Sequence, residues 1–304
     1  MSIKEEIISF ARDIEIDLIG FCDINFDEGL INFLKEKREL GLLTGFEEEN
    51  ENKRTDIKKI MEDAQTIIAI ALPYKTADIN TKQIHISKSS IGLDYHIVLK
   101  EKLLKLCNFL IEKYGAKAVS FCDNNPLCER EIARKSGIGF IGKNNSLITK
   151  KYGSYVFLGE IITNIYIERD KAVENKCGSC TICLNACPSG ALLKPWYIDP
   201  RKCISFLTQK KEELTDSEKK LLGLNIYGCD TCQDVCPYNK TAEYSKIEEF
   251  KPFGWEANIN PDFILGLTNS EYKCTFKKAS CGWRGKRVLK RNTLIALENL
   301  KRNQ

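Results

Sequence analysis

Between residues 3 and 14 apolar side chains recur at Ile3, Ile7, Phe10 and Ile14, the spacing of one helix face. Residues 3–13 are therefore predicted as an amphipathic helix, followed by a short strand at 17–22 and a second helix at 26–40. The next stretch, 45–59, is crowded with charge (Glu47, Glu48, Glu49, Glu51, Lys53, Arg54) and reads mainly as a solvated loop. Residues 64–72 are almost continuously apolar, rich in isoleucine and closed by Pro73, which suits a strand buried on both faces of a sheet. A long helix is expected over 94–114, carrying Ile97, Val98, Leu103, Leu104, Leu106, Phe109 and Leu110, and Gly115 should stop it. A strand at 116–121, a helix at 129–135 and a loosely alternating strand at 155–167 complete the pattern. Helix and strand alternate through residue 165, which argues for an α/β (α+β) domain. Residues 137–142 are too glycine-rich to continue a helix; they read as a turn where backbone can approach a large ligand closely.

Cysteine spacing changes this picture. The run Cys177-Gly178-Ser179-Cys180-Thr181-Ile182-Cys183-Leu184-Asn185-Ala186-Cys187-Pro188 has the C-x2-C-x2-C-x3-C-P spacing of bacterial ferredoxins. In that motif the fourth cysteine ligates the other cluster. A second block, Cys229-Asp230-Thr231-Cys232-Gln233-Asp234-Val235-Cys236-Pro237, is one cysteine short, and Cys203 is available to fill the gap. The spacing predicts two 4Fe-4S clusters with exchanged ligands: Cys177, Cys180, Cys183 and Cys236 for one, Cys187, Cys203, Cys229 and Cys232 for the other. Paired zinc sites and a disulfide framework are the competing readings. Zinc does not explain two C-x3-C-P endings, and a chain of 304 residues is too long to need disulfides as its main staple. The remaining cysteines (22, 107, 122, 128, 274, 281) read as small apolar residues, with Cys122 and Cys128 close to the segment considered next.

With 43% hydrophobic residues, the chain has material for two domains or one large one with an insert. Residues 1–6 lack the apolar core of a signal peptide, and no apolar run approaches the ~20 residues of a membrane span. The expected location is the cytoplasm, with no membrane partner. A net charge of +4 does not by itself imply nucleic acid, but its distribution matters. Residues 273–291 hold Lys273, Lys277, Lys278, Arg284, Lys286, Arg287, Lys290 and Arg291, and no acid. Cations at the start of a helix oppose its dipole. A phosphate backbone is therefore a reasonable partner, with Trp283 beside Arg284 as a stacking face. A solvated helix face is the alternative.

Asp123-Asn124-Asn125-Pro126-Leu127-Cys128-Glu129-Arg130-Glu131 follows directly on the strand ending at Phe121. A carboxylate in a turn at a strand's C-terminal end sits where α/β folds place active sites; a helix cap or turn residue is the plainer reading. Taken with the cysteines, these segments resemble the epoxyqueuosine reductase family, cobalamin-dependent enzymes of the last step of queuosine formation on tRNA. The resemblance is carried by Lys53-Arg54, Leu72-Pro73-Tyr74, Gly92-Leu93-Asp94-Tyr95-His96, the Asp123 segment, Gly139-Phe140-Ile141-Gly142-Lys143-Asn144, both cysteine blocks and Asn239. Corrinoid-dependent reductive dehalogenases share a related layout, so the combination of segments carries the resemblance.

The resemblance implies a cobalamin-binding catalytic domain over 1–168. A ferredoxin-like module with two 4Fe-4S clusters would follow over 169–250, then a basic, shortened HEAT-like helical segment over 251–304. It implies that Asp123 is the proton donor and that Arg54, Asp123, Gly142, Lys143 and Asn144 contact cobalamin. An external low-potential donor would feed the clusters, the substrate would be a tRNA anticodon stem-loop carrying epoxyqueuosine, and the chain is expected to act as a monomer. Lys277, Lys278, Arg284, Lys286, Arg287, Lys290 and Arg291 are the expected RNA contacts. Burial beside an apolar cofactor face should raise the pKa of Asp123 toward neutrality. Arg54 reads equally as a surface partner of the acidic run 47–51, and His85 and His96 read as packed or exposed side chains before cobalt ligands. The alternative functions are a corrinoid reductase of a small molecule, dehalogenase-like, and a two-cluster electron carrier.

Overall fold

The computed structural model describes residues 2–77 and 84–302. Helix α1 (Ile3–Asp13) starts at a capping box: Ser2 Oγ accepts from the Glu5 amide and the Glu5 carboxylate accepts from the Ser2 amide. Strand β1 (Leu18–Asp23) and helix α2 (Glu28–Glu39) follow. Where a solvated loop was expected there is a one-turn helix, α3 (Glu51–Thr55). Two features of the charged run order it: Asn50 caps the amides of Asn52 and Lys53, and the buried Glu51 pairs with Arg38 at 2.5 Å. The chain continues through β2 (Thr66–Pro73), β3 (His85–Ile86), α4 (Tyr95–Tyr114), β4 (Ala118–Phe121) and α5 (Glu129–Lys135). The hairpin β5 (Gly139–Ile141) and β6 (Leu147–Thr149) and the long β7 (Val156–Thr163) close this half. Gly115 ends α4 at φ +64°, a conformation glycine adopts without steric cost.

The main sheet has the order β1-β2-β7-β4, and every neighbouring pair is antiparallel. The alternation of helices and strands therefore builds an α+β layer around an antiparallel sheet. All eight residues of β2 are buried, and they divide by parity. Ile68, Ile70 and Leu72 pack with α1 and α4 on one face, against Ile7, Leu99, Leu103 and Leu106. Ile67, Ala69 and Ala71 face Ile132 and Ala133 of α5 on the other. Side chains alternate across a strand, so a strand covered on both faces must be apolar throughout. Helix α5 approaches the sheet so closely that a Cβ at Gly20 would stand 1.9 Å from the Ser136 carbonyl oxygen.

The second half is made of short elements. Helix α6 (Ile182–Ala186), the hairpin β8 (Leu192–Lys194) and β9 (Tyr197–Ile198), and α7 (Ile204–Leu207) lead to α8 (Asp216–Leu222). As its sequence predicts, α8 opens on a Thr215–Glu218 capping box and ends at Gly223. Strand β10 (Asn225–Tyr227) pairs with β3, then α9 (Thr231–Asp234) carries Cys232 and Cys236 precedes α10 (Pro237–Lys240). Ile247 and Phe250 then return to the first core beside α4. The terminal helices α11 (Pro261–Gly266), α12 (Asn269–Cys274) and α13 (Lys286–Arg302) enclose Phe276, Leu289 and Ala296 together with Ile84 and Ile226. Among the described residues no helix is long and apolar enough to cross a membrane.

Candidate active site

A cleft of about 1090 Å³ lies where the two halves meet. Arg54, Asp123 and Cys128 line it from the first half, Trp196, Gly228 and Gln233 from the cysteine-rich half, and Ser280 from the tail. This is at or above the upper end of the roughly 300–1,000 Å³ that holds a drug-sized ligand.

The turn after β4 enters this cleft. Asp123 and Asn124 both adopt left-handed conformations, at φ +47° and +45°. Aspartate and asparagine tolerate this region better than other non-glycine residues, yet two in succession need support. Glu129 supplies it: its Oε1 accepts from the Asp123 amide and from Asn125 Nδ2, each at 2.9 Å. Asn125 Oδ1 accepts in turn from the Leu127 amide at 2.7 Å. Strain held in place by surrounding bonds is a common mark of a functional turn.

The Asp123 carboxylate meets two residues at the start of α4. The Tyr95 hydroxyl donates to Oδ2 at 2.6 Å, and His96 Nε2 lies 3.3 Å from the same oxygen. Asp94 Oδ1 holds the other imidazole nitrogen, Nδ1, at 2.8 Å. The Tyr95 ring stacks on His96 at 4.1 Å and on Phe157 at 4.2 Å, which fixes both polar heads. These contacts overturn the expectation of a raised Asp123 pKa. The His96 hydrogen bond, with Tyr95 and the Asn124 amide adding to it, outweighs desolvation and lowers Asp123 to about 2. His96 is raised to about 9 by Asp123 and then by Asp94. At neutral pH the proton therefore sits on the imidazole. With both ring nitrogens facing carboxylates, His96 is a packed histidine; His85 is exposed on β3.

Arg54 also belongs to this turn. Its Nε donates to the Pro126 carbonyl at 3.3 Å, while in the acidic run expected to engage it Glu51 is taken by Arg38, Glu48 by Lys53 and Glu47 by Thr44. Arg130 donates to the Asn145 carbonyl at 2.7 Å. With Lys37 these side chains form a cationic wall; burial, and then Arg130, push the Lys37 ammonium pKa down. The glycine-rich segment behaves differently from expectation. Gly142, Lys143 and Asn144 are not among the residues lining the cleft. Lys143 Nζ donates to the carbonyls of Gly178 (2.6 Å) and Cys180 (2.9 Å), and Asn144 Nδ2 to that of Cys232 (3.3 Å). The hairpin thus supports both cysteine loops. Its neighbours Ile141, Asn145 and Ser146 face the cleft instead.

None of the eight predicted cluster cysteines is in a disulfide bond. The thiols that perturb one another fall largely into the two predicted sets. Cys183 feels Cys177, Cys236 and Cys180, while Cys232 feels Cys203, Cys229 and Cys187 before Cys183. Cys203 feels Cys229 and Cys187, so the isolated cysteine does lie with the second block. Gly228 and Gln233, on the loop of that second set, reach the cleft wall.

The basic tail divides. Arg287 Nη2 donates to the Lys211 carbonyl (3.2 Å), Arg291 Nη1 to that of Glu212 (2.7 Å), and Lys286 Nζ to Asn269 Oδ1 (2.7 Å). Arg287 and Arg291 thus bind α13 to the segment before α8, and Lys286 binds it to the start of α12, so these cations hold the final helix in place although they oppose its dipole. Lys277 and Lys278 are exposed and Lys290 is half-buried. Arg284 lies 3.7 Å over the Trp283 ring and 4.7 Å over Phe46, beside the cleft mouth. Tyr95, His96, Glu129 and Arg130 were missed as functional residues. Tyr95 and His96, 28 and 27 residues before Asp123, start a helix, and no local spacing joins them to it.

Comparison with known proteins agrees with this geometry. Residues 54–124 match the family model "Epoxyqueuosine reductase QueG, DUF1730", and residues 176–239 match "4Fe-4S double cluster binding domain". Epoxyqueuosine reductase of Bacillus subtilis (strain 168) is 41% identical over 98% of this chain and 80% of its own length. That of Listeria monocytogenes is 39% identical over 99% and 81%. A crystal structure of epoxyqueuosine reductase with an epoxyqueuosine-modified tRNA-Tyr stem loop superposes with a TM-score of 0.94 at 41% identity, over 98% of this chain and 81% of that one. A structure of epoxyqueuosine reductase from Streptococcus thermophilus gives 0.92 at 38% identity, over 99% and 82%. The chain belongs to the epoxyqueuosine reductase family.

Proposed function

We propose that this cleft reduces epoxyqueuosine at the wobble position of tRNA to queuosine, replacing an epoxide by an alkene with release of water. The observation that carries this reading is the placement of Asp123. Its carboxylate reaches the cleft held by His96 and Tyr95, and Gly228 and Gln233 of the second cysteine loop line the same cleft.

The cleft suits a cobalamin: its volume exceeds that of an ordinary small-ligand site, and apolar Leu127, Val156 and Leu158 alternate with the cations Arg54 and Arg130. Those residues would hold the cofactor, which when bound supplies a strongly reducing centre able to open the epoxide. The two predicted cysteine sets would hold two 4Fe-4S clusters, which when bound would supply single-electron transfer. Gly178 and Ser179 of the first loop are exposed and offer the entry point for an external low-potential donor. Asp123 acts as the conduit for the proton that the departing oxygen requires, and His96 as the residue that stores it. Tyr95, stacked on Phe157, keeps the carboxylate aimed.

Lys277 and Lys278, with Arg284 stacked on Trp283, provide cations and an aromatic face for the anticodon stem-loop. The protein is proposed to work as a monomer in the cytoplasm on free tRNA. The test is anaerobic reconstitution with cobalamin and iron–sulfur clusters, followed by reaction with tRNA carrying epoxyqueuosine and analysis of the digested nucleosides. Queuosine should appear. If fully loaded protein yields none, the reading falls.

A further inference from the structure

The two cysteine blocks differ in charge. Aligned on their shared C-x2-C-x3-C-P ending, Thr181 and Asn185 of the first stand opposite Asp230 and Asp234 of the second. Asp230 follows Cys229 directly and lies two residues before Cys232; Asp234 lies two residues after Cys232. Both carboxylates are therefore fixed to the backbone that carries ligands of the second set.

The Asp230 side chain is only 9% exposed and is clamped by the segment that leads into α4. Its Oδ1 accepts from Ser87 Oγ at 2.6 Å and from Gln233 Nε2 at 3.4 Å. Its Oδ2 accepts from the Lys88 amide at 2.7 Å, with the Lys88 ammonium 3.8 Å from the same oxygen. Every one of these partners donates, and a carboxyl group that only accepts is in its ionised form. Lys88 Nζ also donates to Asp234 Oδ1 at 2.7 Å, where the Tyr155 hydroxyl joins it at 2.8 Å. Two carboxylates thus share one ammonium in this network. The other cations beside the second set, Arg201 and Lys202, are more than half exposed at their side chains and face Asp199, so water screens them. The first loop has the opposite sign: the buried Lys143 ammonium donates to the carbonyls of Gly178 and Cys180.

Reducing a cluster adds one negative charge. A carboxylate beside it opposes that charge, and does so more strongly where water is excluded. Cluster potentials follow local charge together with hydrogen bonds and exposure. We propose that Asp230, clamped by Ser87 and Lys88, sets the reduction potential of the second cluster, its carboxylate holding that potential down while the Lys88 ammonium limits the drop. The proposal rests on the assignment of Cys187, Cys203, Cys229 and Cys232 to one cluster. Gly228 and Gln233 bring this loop to the cleft wall, where a low potential favours passing an electron on over keeping it. The electrons come from the external low-potential donor; Asp230 and Lys88 gain and lose none.

The test is an anaerobic redox titration of the full chain, loaded with clusters and cobalamin and followed by electron paramagnetic resonance. Wild type should show two one-electron cluster steps. Asp230→Asn, which removes the charge and keeps the shape, should move one step to higher potential. Lys88→Met should move the same step to lower potential. Asp234→Asn should raise it by less than Asp230→Asn does, since that side chain is 46% exposed. The other step should stay in place in all three variants. A clamp with only a structural role would loosen in either variant, and Asp230→Asn and Lys88→Met would then shift the step in the same direction. Shifts of the same sign, or no shift, overturn the proposal. If Asp230→Asn assembles one cluster only, the opposite shifts of Asp234→Asn and Lys88→Met decide it. Loss of the second cluster from all three variants overturns it, because the network would then serve assembly. A wild type that binds a single cluster removes the cluster assignment, and the proposal falls with it.

Discussion

His96 Nε2 lies 3.3 Å from Asp123 Oδ2, and on the other edge of the same ring Nδ1 lies 2.8 Å from Asp94 Oδ1. An imidazole between two carboxylates holds its proton past neutrality, while the carboxylate reaching into the cleft remains ionised. The group that reaches the substrate and the group that carries the proton are thus different residues, joined by one contact.

Asp123→Asn should retain clusters and cofactor and melt close to wild type, because half of the side chain is exposed. Its single-turnover rate should fall by about 10²- to 10⁴-fold, the usual contribution of a positioned proton-transfer group. Rapid-quench analysis of tRNA nucleosides gives the rate; turnover near the wild-type value would remove Asp123 from the mechanism.

The two histidines should titrate on opposite sides of the ordinary value of 6.5. His96 is expected near 9 and His85 below 6.5, because partial desolvation of its ring and then Lys88 oppose its charge. Proton NMR of the imidazoles checks this, and Asp123→Asn should pull the high value down. The sign for stability follows. His96 has a raised folded pKa, so its contribution is complete below about 6.5 and is lost as pH rises through about 9. Asp123 is depressed, so its contribution is complete above 3.8 and is lost as pH falls through about 2. Melting curves of His96→Ala should lose the alkaline slope that wild type shows.

Lys143→Met removes the ammonium that binds the Gly178 and Cys180 carbonyls while keeping most of the stem. The first cysteine loop should loosen, and the isolated protein should lose up to one cluster's share of iron. Iron and sulfide analysis measures this. Full iron content would show that the cysteines organise the loop without the hairpin.

Arg287→Ala combined with Arg291→Ala should lower the melting temperature, since their guanidinium groups bind the carbonyls of Lys211 and Glu212. Lys277→Ala with Lys278→Ala should leave melting unchanged. It should weaken tRNA binding and reduce the magnitude of the salt slope by about one per phosphate contact removed. Fluorescence anisotropy over a salt series separates the two pairs.

Much of this protein was legible from local signals. The Thr215–Glu218 capping box, the glycine stop at Gly115 and the apolar β2 depend on near neighbours in the chain, and the structure shows them close to where they were read. The cysteine spacing is equally local, because metal ligands within a short loop must sit at fixed separations. Asp123 could be picked out because a strand end and a turn flank it in sequence.

The chain order alone determined the cysteine blocks, the buried strand and the acid at the end of β4, since each follows from spacings of a few residues. Only the tertiary structure decided the charge on that acid. Its pKa depends on His96, 27 residues earlier, and on how the start of α4 meets the turn after β4. It also decided that Lys143 and Asn144 turn toward the cysteine loops, that Arg287 and Arg291 bind backbone carbonyls, and that Glu160 lies without a partner beneath α5. Electrostatic energies follow distance and burial in the folded state, and neither is a property of spacing along the chain.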